Sequence, residues 1–334
     1  ASGVMERELD AAASGIAAAQ TPDGRLERIW ALRDSAALLA HCLLRLGHTH
    51  EALLQLDRGK ARYWQADAVD WARNALSSLV PAGGALLVAN FATDPGAVTL
   101  VTTEREHTVW LPHFGRTRVL ALQRGSAAPE LTGGWLLAYL ERNTRPQAWQ
   151  QAIEDTGRIL YEELWQPLLA CFPALGIRHG SELVWLHQGG SNLLPMHAAW
   201  RSDGEGGRHW LDADHAIRYA PSISALCAAR PRRNGSGTPL LIANASGDLP
   251  FTRVECAWVE QALDRPARSL YDAEATRSAV LASLPGADPV HLATHARFDL
   301  DDPLQSCVLL AQGEVLAIPT LLDAIAAQPP ALLV

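Results

Sequence analysis

Leu240-Leu241-Ile242-Ala243 and Val290-His291-Leu292-Ala293-Thr294 decide the fold. Both are short, apolar and free of helical spacing, and both begin beside a proline: Pro239 before one, Pro289 before the other. An uninterrupted apolar run such as Leu240–Ala243 reads as a strand covered on both faces. Between them, Arg253–Leu263 and Thr276–Leu284 read as helices. Strand, helix and strand in alternation give an α/β sheet with parallel members. In such a sheet, functional residues sit just beyond the carboxyl ends of the strands.

Working outward, Leu183–Leu186 and Ala216–Tyr219 read as two further strands. Residues 129–175 read as helix, with apolar positions at Trp135, Leu136, Leu140, Ile159, Leu160, Leu164, Trp165 and Leu168. Before them, Ala85–Phe91 and Ala97–Thr103 flank Thr93-Asp94-Pro95-Gly96. That is a hairpin whose turn residues have a mechanism. Thr108–Leu111 adds a third strand. Residues 27–80 read as helices, Ile29, Leu32, Ala36, Leu39, Leu43 and Leu46 stepping by three and four. Gly47 stops the first of them. Two antiparallel helices with a short turn are the unit of a helical repeat, although a 34-residue period is not sustained.

The chain has 334 residues, 48% of them hydrophobic and 19% charged, which excludes a largely disordered polymer. The net charge of −8 argues against a nucleic-acid partner bound through bulk charge. No run of about 18 apolar residues is present, so no membrane partner is expected. The 28 cationic side chains include a single lysine, Lys60, a lopsidedness read as coding bias. Five cysteines, odd in number and without a CxxC, fit free thiols in a reducing, cytoplasmic setting. The opening Ala-Ser-Gly lacks both Met and a basic-then-apolar leader. The expectation is that a longer chain contributes this piece.

Three features carry candidate chemistry. His291 and His295 lie four apart, a zinc-binding spacing on a helix. On a strand, that spacing holds them roughly 13 Å apart, which disfavours chelation of one ion. His295 at a strand end suits a general base, or a structural histidine bonding a loop carbonyl. Asp299-Leu300-Asp301-Asp302-Pro303 reads as a solvated turn; alternatively its aspartates hold Ca²⁺, although the Gly and terminal Glu of an EF-hand are missing, or one of them orients His295. Asn244–Pro250 holds one glycine, too few for a phosphate cradle, and reads as a tight turn. Cys307 sits inside an apparent strand and reads as core. No cofactor and no metal are expected.

From about residue 160 onward the sequence resembles the CHAT family, caspase-like proteins often attached to tetratricopeptide repeats. Six blocks carry the resemblance, in order. They are Leu186-His-Gln-Gly-Gly-Ser-Asn-Leu-Leu-Pro195 with Met196–Ala199, Ile217-Arg-Tyr-Ala-Pro-Ser-Ile-Ser-Ala-Leu226, Asn244–Pro250 with Glu255, Ala275–Val280, Val290–His295, and Asp302-Pro-Leu-Gln-Ser306. The resemblance implies a caspase-like mixed, largely parallel sheet flanked by helices and preceded by a short TPR-like segment. Residues 1–80 would be that helical segment, 81–180 the front part of the module, and 181–334 its core.

It also implies a Cys–His dyad endopeptidase cleaving a protein substrate, with a protein partner engaged through the helices. His295 is then the catalytic histidine and the Ala296 backbone N–H an oxyanion donor. Arg297 and Asp299 are weak candidates for the substrate pocket. Two departures stand out. The family usually has Gly where this chain has Ala296, which would strain a left-handed backbone there. None of the five cysteines matches the family's nucleophile position. Pro330–Val334 looks like the strand leading to that position, so the nucleophile is expected beyond Val334 and this piece alone is expected to be inactive. The alternatives are an inactive CHAT-like scaffold and a metal-dependent hydrolase using His291 and His295.

Overall fold

A computed structural model describes residues 35–61, 73–126, 134–228, 237–299 and 305–326. The chain divides into two compact units, Ala1–Ala229 and Arg230–Val334. The division falls inside the stretch 181–334, because the two strands that open that stretch hydrogen-bond to the preceding sheet.

The first unit is built on β1 (Ala85–Asn90), all six residues of which are buried. β2 (Gly96–Val101) and β3 (Glu106–Leu111) follow as antiparallel neighbours, Leu86 opposite Val101 and Ala97 opposite Trp110. The hairpin therefore forms where its turn residues place it, and the third strand joins it. On the other side of β1, β4 (Glu182–Leu186) and then β7 (Ala216–Ala220) pair in parallel, giving the order β3-β2-β1-β4-β7. A small hairpin, β5 (Trp200–Ser202) and β6 (Arg208–Trp210), lies between β4 and β7 in the chain.

Side chains alternate across a strand, so β1 feeds two cores. Ala85, Leu87 and Ala89 share one core with Leu160, Leu164, Trp165 and Trp185. Leu86 and Val88 share the other with Val184, Leu186 and the apolar stripes of α1 (35–45) and α2 (Thr49–Ala61). Each fully buried Leu contributes about 1.5–3 kcal/mol relative to exposure. The predicted helix over 129–175 is broken into shorter pieces among the described residues. α3 (Pro146–Ile159) runs into a π-helical turn, Leu160–Trp165, that brings the Trp165 indole to donate to the Met196 carbonyl at 3.0 Å.

Asp57 of α2 is buried and reaches the first turn of α4 (Ile223–Ala228). Its Oδ1 accepts from the backbone N–H of Ile223 (2.7 Å) and Ser224 (3.1 Å), and the Ser224 hydroxyl donates to Oδ2. A carboxylate at a helix start occupies donors that the helix leaves unpaired.

The second unit has β8 (Thr238–Ala243) at its centre, with β9 (Arg268–Tyr271) and β10 (Ala287–Ala293) parallel on either side. α5 (Thr252–Leu263) links β8 to β9, and α6 (Arg277–Ser283), capped by Thr276, links β9 to β10. Leu240 and Ile242 face a core with Val280, Leu284 and Val290. Leu241 and Ala243 face another with Cys256 of α5. A small antiparallel sheet follows, β11 (Ala296–Arg297), β12 (Cys307–Leu309) and β13 (Val315–Ala317), ending in α7 (Ile318–Ala326). The fold is mixed α/β with a mostly parallel sheet flanked by helices. No described helix is long and apolar enough to cross a membrane.

Candidate active site

The chain passes from β8 to β9 on one side and then crosses back to β10 on the other. The carboxyl ends of β8 and β10 therefore form a topological switch point, the crevice where open parallel sheets take ligands. Two polar groups meet there. His295 lies two residues past β10, and its Nε2 is 3.1 Å from Asp248 Oδ2 in the turn after β8. Both side chains are exposed.

Backbone geometry at the end of β8 fixes Asp248. Asn244 adopts a left-handed φ of 54° and donates its N–H to the Ala293 carbonyl of β10 at 3.1 Å. Its side-chain oxygen accepts from Leu249 N–H at 2.6 Å. Gly247, at φ 83°, completes the turn in a conformation that favours glycine. Asn244 Nδ2 also donates to Asp272, which pairs with Arg253. The Ser246 hydroxyl donates to Asp248 Oδ1. That bond, and then the contact with His295, hold the Asp248 carboxyl below its ordinary range.

The end of β10 is pinned from the other side. Thr294 Oγ1 donates to the Leu309 carbonyl at 2.8 Å, and Leu309 N–H donates to the His295 carbonyl at 2.8 Å. Ala296 opposes Val308 in the antiparallel pair. A bond from Leu309 to His295 flanks a non-hydrogen-bonded pair, so the Ala296 N–H turns away from β12. Ala296 is extended and does not adopt positive φ, so replacing the family's usual Gly with Ala costs no left-handed strain.

The other sequence candidates have partners of their own. His291 is buried within β10, and its Nε2 is 2.9 Å from Glu255 of α5. The two histidines thus engage different carboxylates. Among the described residues no three His, Cys, Asp or Glu side chains gather as metal ligands. Arg297 is exposed in β11, opposite Cys307. Asp299 N–H donates to Ser306 Oγ at 3.0 Å. Asp301, Asp302 and the Pro330–Val334 segment lie outside the described residues. Cys307 is buried in β12, as its apolar neighbours require. Cys256 is buried in α5, and that burial, with Glu255 and Glu260 nearby, pushes its thiol up to about 11.

The carboxylate that meets His295 is Asp248, which the sequence shows only as part of a tight turn, and not Asp299. The Gly247-Asp248 turn was visible in the sequence, but that its strand neighbours the histidine's own emerges only from the assembled sheet. Glu255 was passed over likewise, and its pairing with His291 emerges only from the packing of α5 on the sheet.

A parallel-stranded α/β protein with a carboxylate-paired histidine at the switch point is the class these observations define. A family profile described as the CHAT domain matches residues 154–334, more than half of the chain. The chain belongs to the CHAT domain family, which is related to caspase-like peptidases. A search of curated proteins finds no match.

Proposed function

We propose that this chain is the larger part of a caspase-like cysteine endopeptidase module acting on a protein substrate. The observation that carries the reading is His295, exposed just past the carboxyl end of β10 and paired with Asp248 at 3.1 Å. With one imidazole nitrogen held by the carboxylate, the other is left to face a thiol. In the proposed cycle His295 takes the thiol proton, and sulfur attacks the substrate carbonyl. The tetrahedral oxyanion is held by backbone donors, the Ala296 N–H among them. The imidazolium then protonates the leaving amine, and water completes the cycle by hydrolysing the thioester with His295 as base.

The thiol is proposed to come from a segment following Val334 in a longer protein. Cys256 and Cys307 are poor nucleophiles, since both are buried and the Cys256 thiol stays protonated at neutral pH. Arg297 and Asp299 remain proposed pocket residues, and the helices of residues 35–61 a proposed partner surface. The test is cleavage of a peptide library by the full-length protein. His295→Ala is expected to reduce it by about 10²–10⁴-fold. Undiminished cleavage rejects the assignment.

A second reading, a catalytically inactive scaffold, is favoured by an apolar stripe that starts just before α5 and continues along it. Phe251 (83% exposed), Val254 and Trp258 (68%) recur at three and four residues. The residue at the nucleophile position of the full-length gene separates the two: Cys supports the peptidase, any other residue the scaffold.

A further inference from the structure

The pairing of His291 with Glu255 has no part in the chemistry assigned to His295. His291 is buried in β10, within the run Val290–Ala293, where an apolar side chain would suit a covered strand better. A buried imidazole is costly unless its polar atoms find partners. The partner is Glu255 Oε1, 2.9 Å from Nε2. An ionised carboxylate can only accept, so the proton of that bond sits on Nε2.

Side chains two apart on a strand share a face. His291 therefore faces the same way as Ala293, which shares a core with Cys256, the residue after Glu255. Asp248 and Glu255 belong to one continuous stretch, the turn after β8 and the first turn of α5. That stretch is fastened twice to β10 and its end. Asp248 meets His295 at 3.1 Å, and Glu255 meets His291 at 2.9 Å. As the chain leaves the turn it runs back along β10, so Glu255 finds its partner four residues before that of Asp248.

The two fastenings differ in setting. The side chains of His295 and Asp248 are 44% and 65% exposed, whereas that of His291 is only 11% exposed. Exposed pairs contribute little by themselves and are poor at holding two elements in place. A pair anchored on a buried ring is screened less. Asn244 shapes the turn from the end of β8, through Leu249. The bond from His291 sets where the helix that follows the turn rests on β10.

We propose that Glu255 and His291 are positioning residues for His295. Their bond locks the start of α5 against β10, and the locked helix holds the turn that presents the Asp248 carboxylate to the imidazole. Neither residue touches substrate or thiol. The effect on rate rests on the peptidase reading, whereas the placement of Asp248 against His295 is a property of this chain by itself.

The first test needs no catalysis. With nitrogen-15 in the histidine rings, the His295 Nε2 shift is read at about pH 8 in the wild-type chain and in Asp248→Asn. The difference between them measures the contact. The same difference is then measured in the backgrounds Glu255→Ala, His291→Phe and Glu255→Gln, as a double-mutant cycle. It is expected to fall by at least about half in the first two. It is expected to persist in Glu255→Gln, whose amide oxygen still accepts from His291. That variant also loses the charge at the helix start, so it separates the bond from the helix dipole. In the full-length protein, Glu255→Ala and His291→Phe are expected to lower kcat about tenfold, with KM changed less than about twofold. Glu255→Gln is expected to restore most of that loss. Glu255 is half-exposed, so Glu255→Ala carries the test where His291→Phe does not fold. An undiminished shift difference in Glu255→Ala, an unchanged kcat despite a diminished one, or Glu255→Gln behaving as Glu255→Ala overturns the proposal. A full-length wild type that cleaves no peptide sinks the peptidase reading alone, and the nitrogen shifts still decide the placement.

Discussion

Asp248 Oδ2 and His295 Nε2 are 3.1 Å apart although 47 residues separate them in sequence. The contact exists because β8 and β10 are neighbours and both end at the same edge. Replacing Asp248 with Asn keeps a side chain of the same shape but removes the charge that orients the ring. In a full-length protein with peptidase activity, Asp248→Asn is expected to lower kcat/KM by about 10-fold to 100-fold, with a smaller change in KM. The Asp248 carboxyl is held low by the Ser246 hydroxyl first and by His295 second. The pairing is therefore intact through the ordinary carboxylate range and is lost as pH falls below it. The acid limb of the pH–rate profile should move upward in Ser246→Ala, the variant that removes the larger of these two contributions.

Asp57 binds the first turn of α4 from more than 160 residues away in sequence. Its removal leaves two backbone N–H groups and a hydroxyl without their acceptor. Asp57→Ala is expected to cost about 2–4 kcal/mol. A fall in the urea midpoint at constant slope measures it; an unchanged midpoint would show that water replaces the carboxylate.

The Lys60 amine sits at about 8 in the folded protein against an ordinary value of 10.5. Between those values the unfolded chain binds the extra proton, so stability rises as pH climbs from 8 to 10.5. Lys60→Met should abolish that rise. Denaturant unfolding at half-unit pH intervals reads it directly.

His187 gives the same sign in a different window. Its folded value of about 3, set by burial and then by Lys60, lies below the ordinary 6.5. Stability is complete above 6.5 and declines as pH falls toward 3. His187→Phe, which keeps a ring against Tyr219, should flatten this part of the curve.

The thiols should separate by exposure. Cys42 is exposed, whereas Cys256 and Cys307 are buried, and the Cys256 thiol is raised to about 11. With a thiol-specific reagent at neutral pH, Cys42 should react in the native protein. Cys256 and Cys307 should react only on unfolding. Mass spectrometry of the labelled peptides gives the order.

Much of this was legible from residue pattern. The runs at Leu240–Ala243 and Val290–Ala293 became paired parallel strands, the first wholly apolar and the second interrupted only by His291. The Asp94-Pro95-Gly96 turn marked the hairpin by its residue types, while Thr117, which donates to Asp94, braces it from further along the chain. β9, at Arg268–Tyr271, was not foreseen: its Arg-Ser-Leu-Tyr sequence is too short and mixed to show a period, and it exists because β8 offers it an edge. The β11–β12–β13 sheet is likewise made of two- and three-residue strands, defined by pairing and not by propensity. For the site, the position of His295 beyond a strand end could be read locally. Its partner could not, since the order β10-β8-β9 is a property of the assembled sheet.

β1, enclosed by a neighbouring strand on each edge and by a core on each face, has no local route to solvent. The amide protons of Leu86, Leu87 and Val88 should then exchange with deuterium only when the whole of the first unit opens. Their exchange rates in water would gauge that unit's full unfolding free energy without any denaturant.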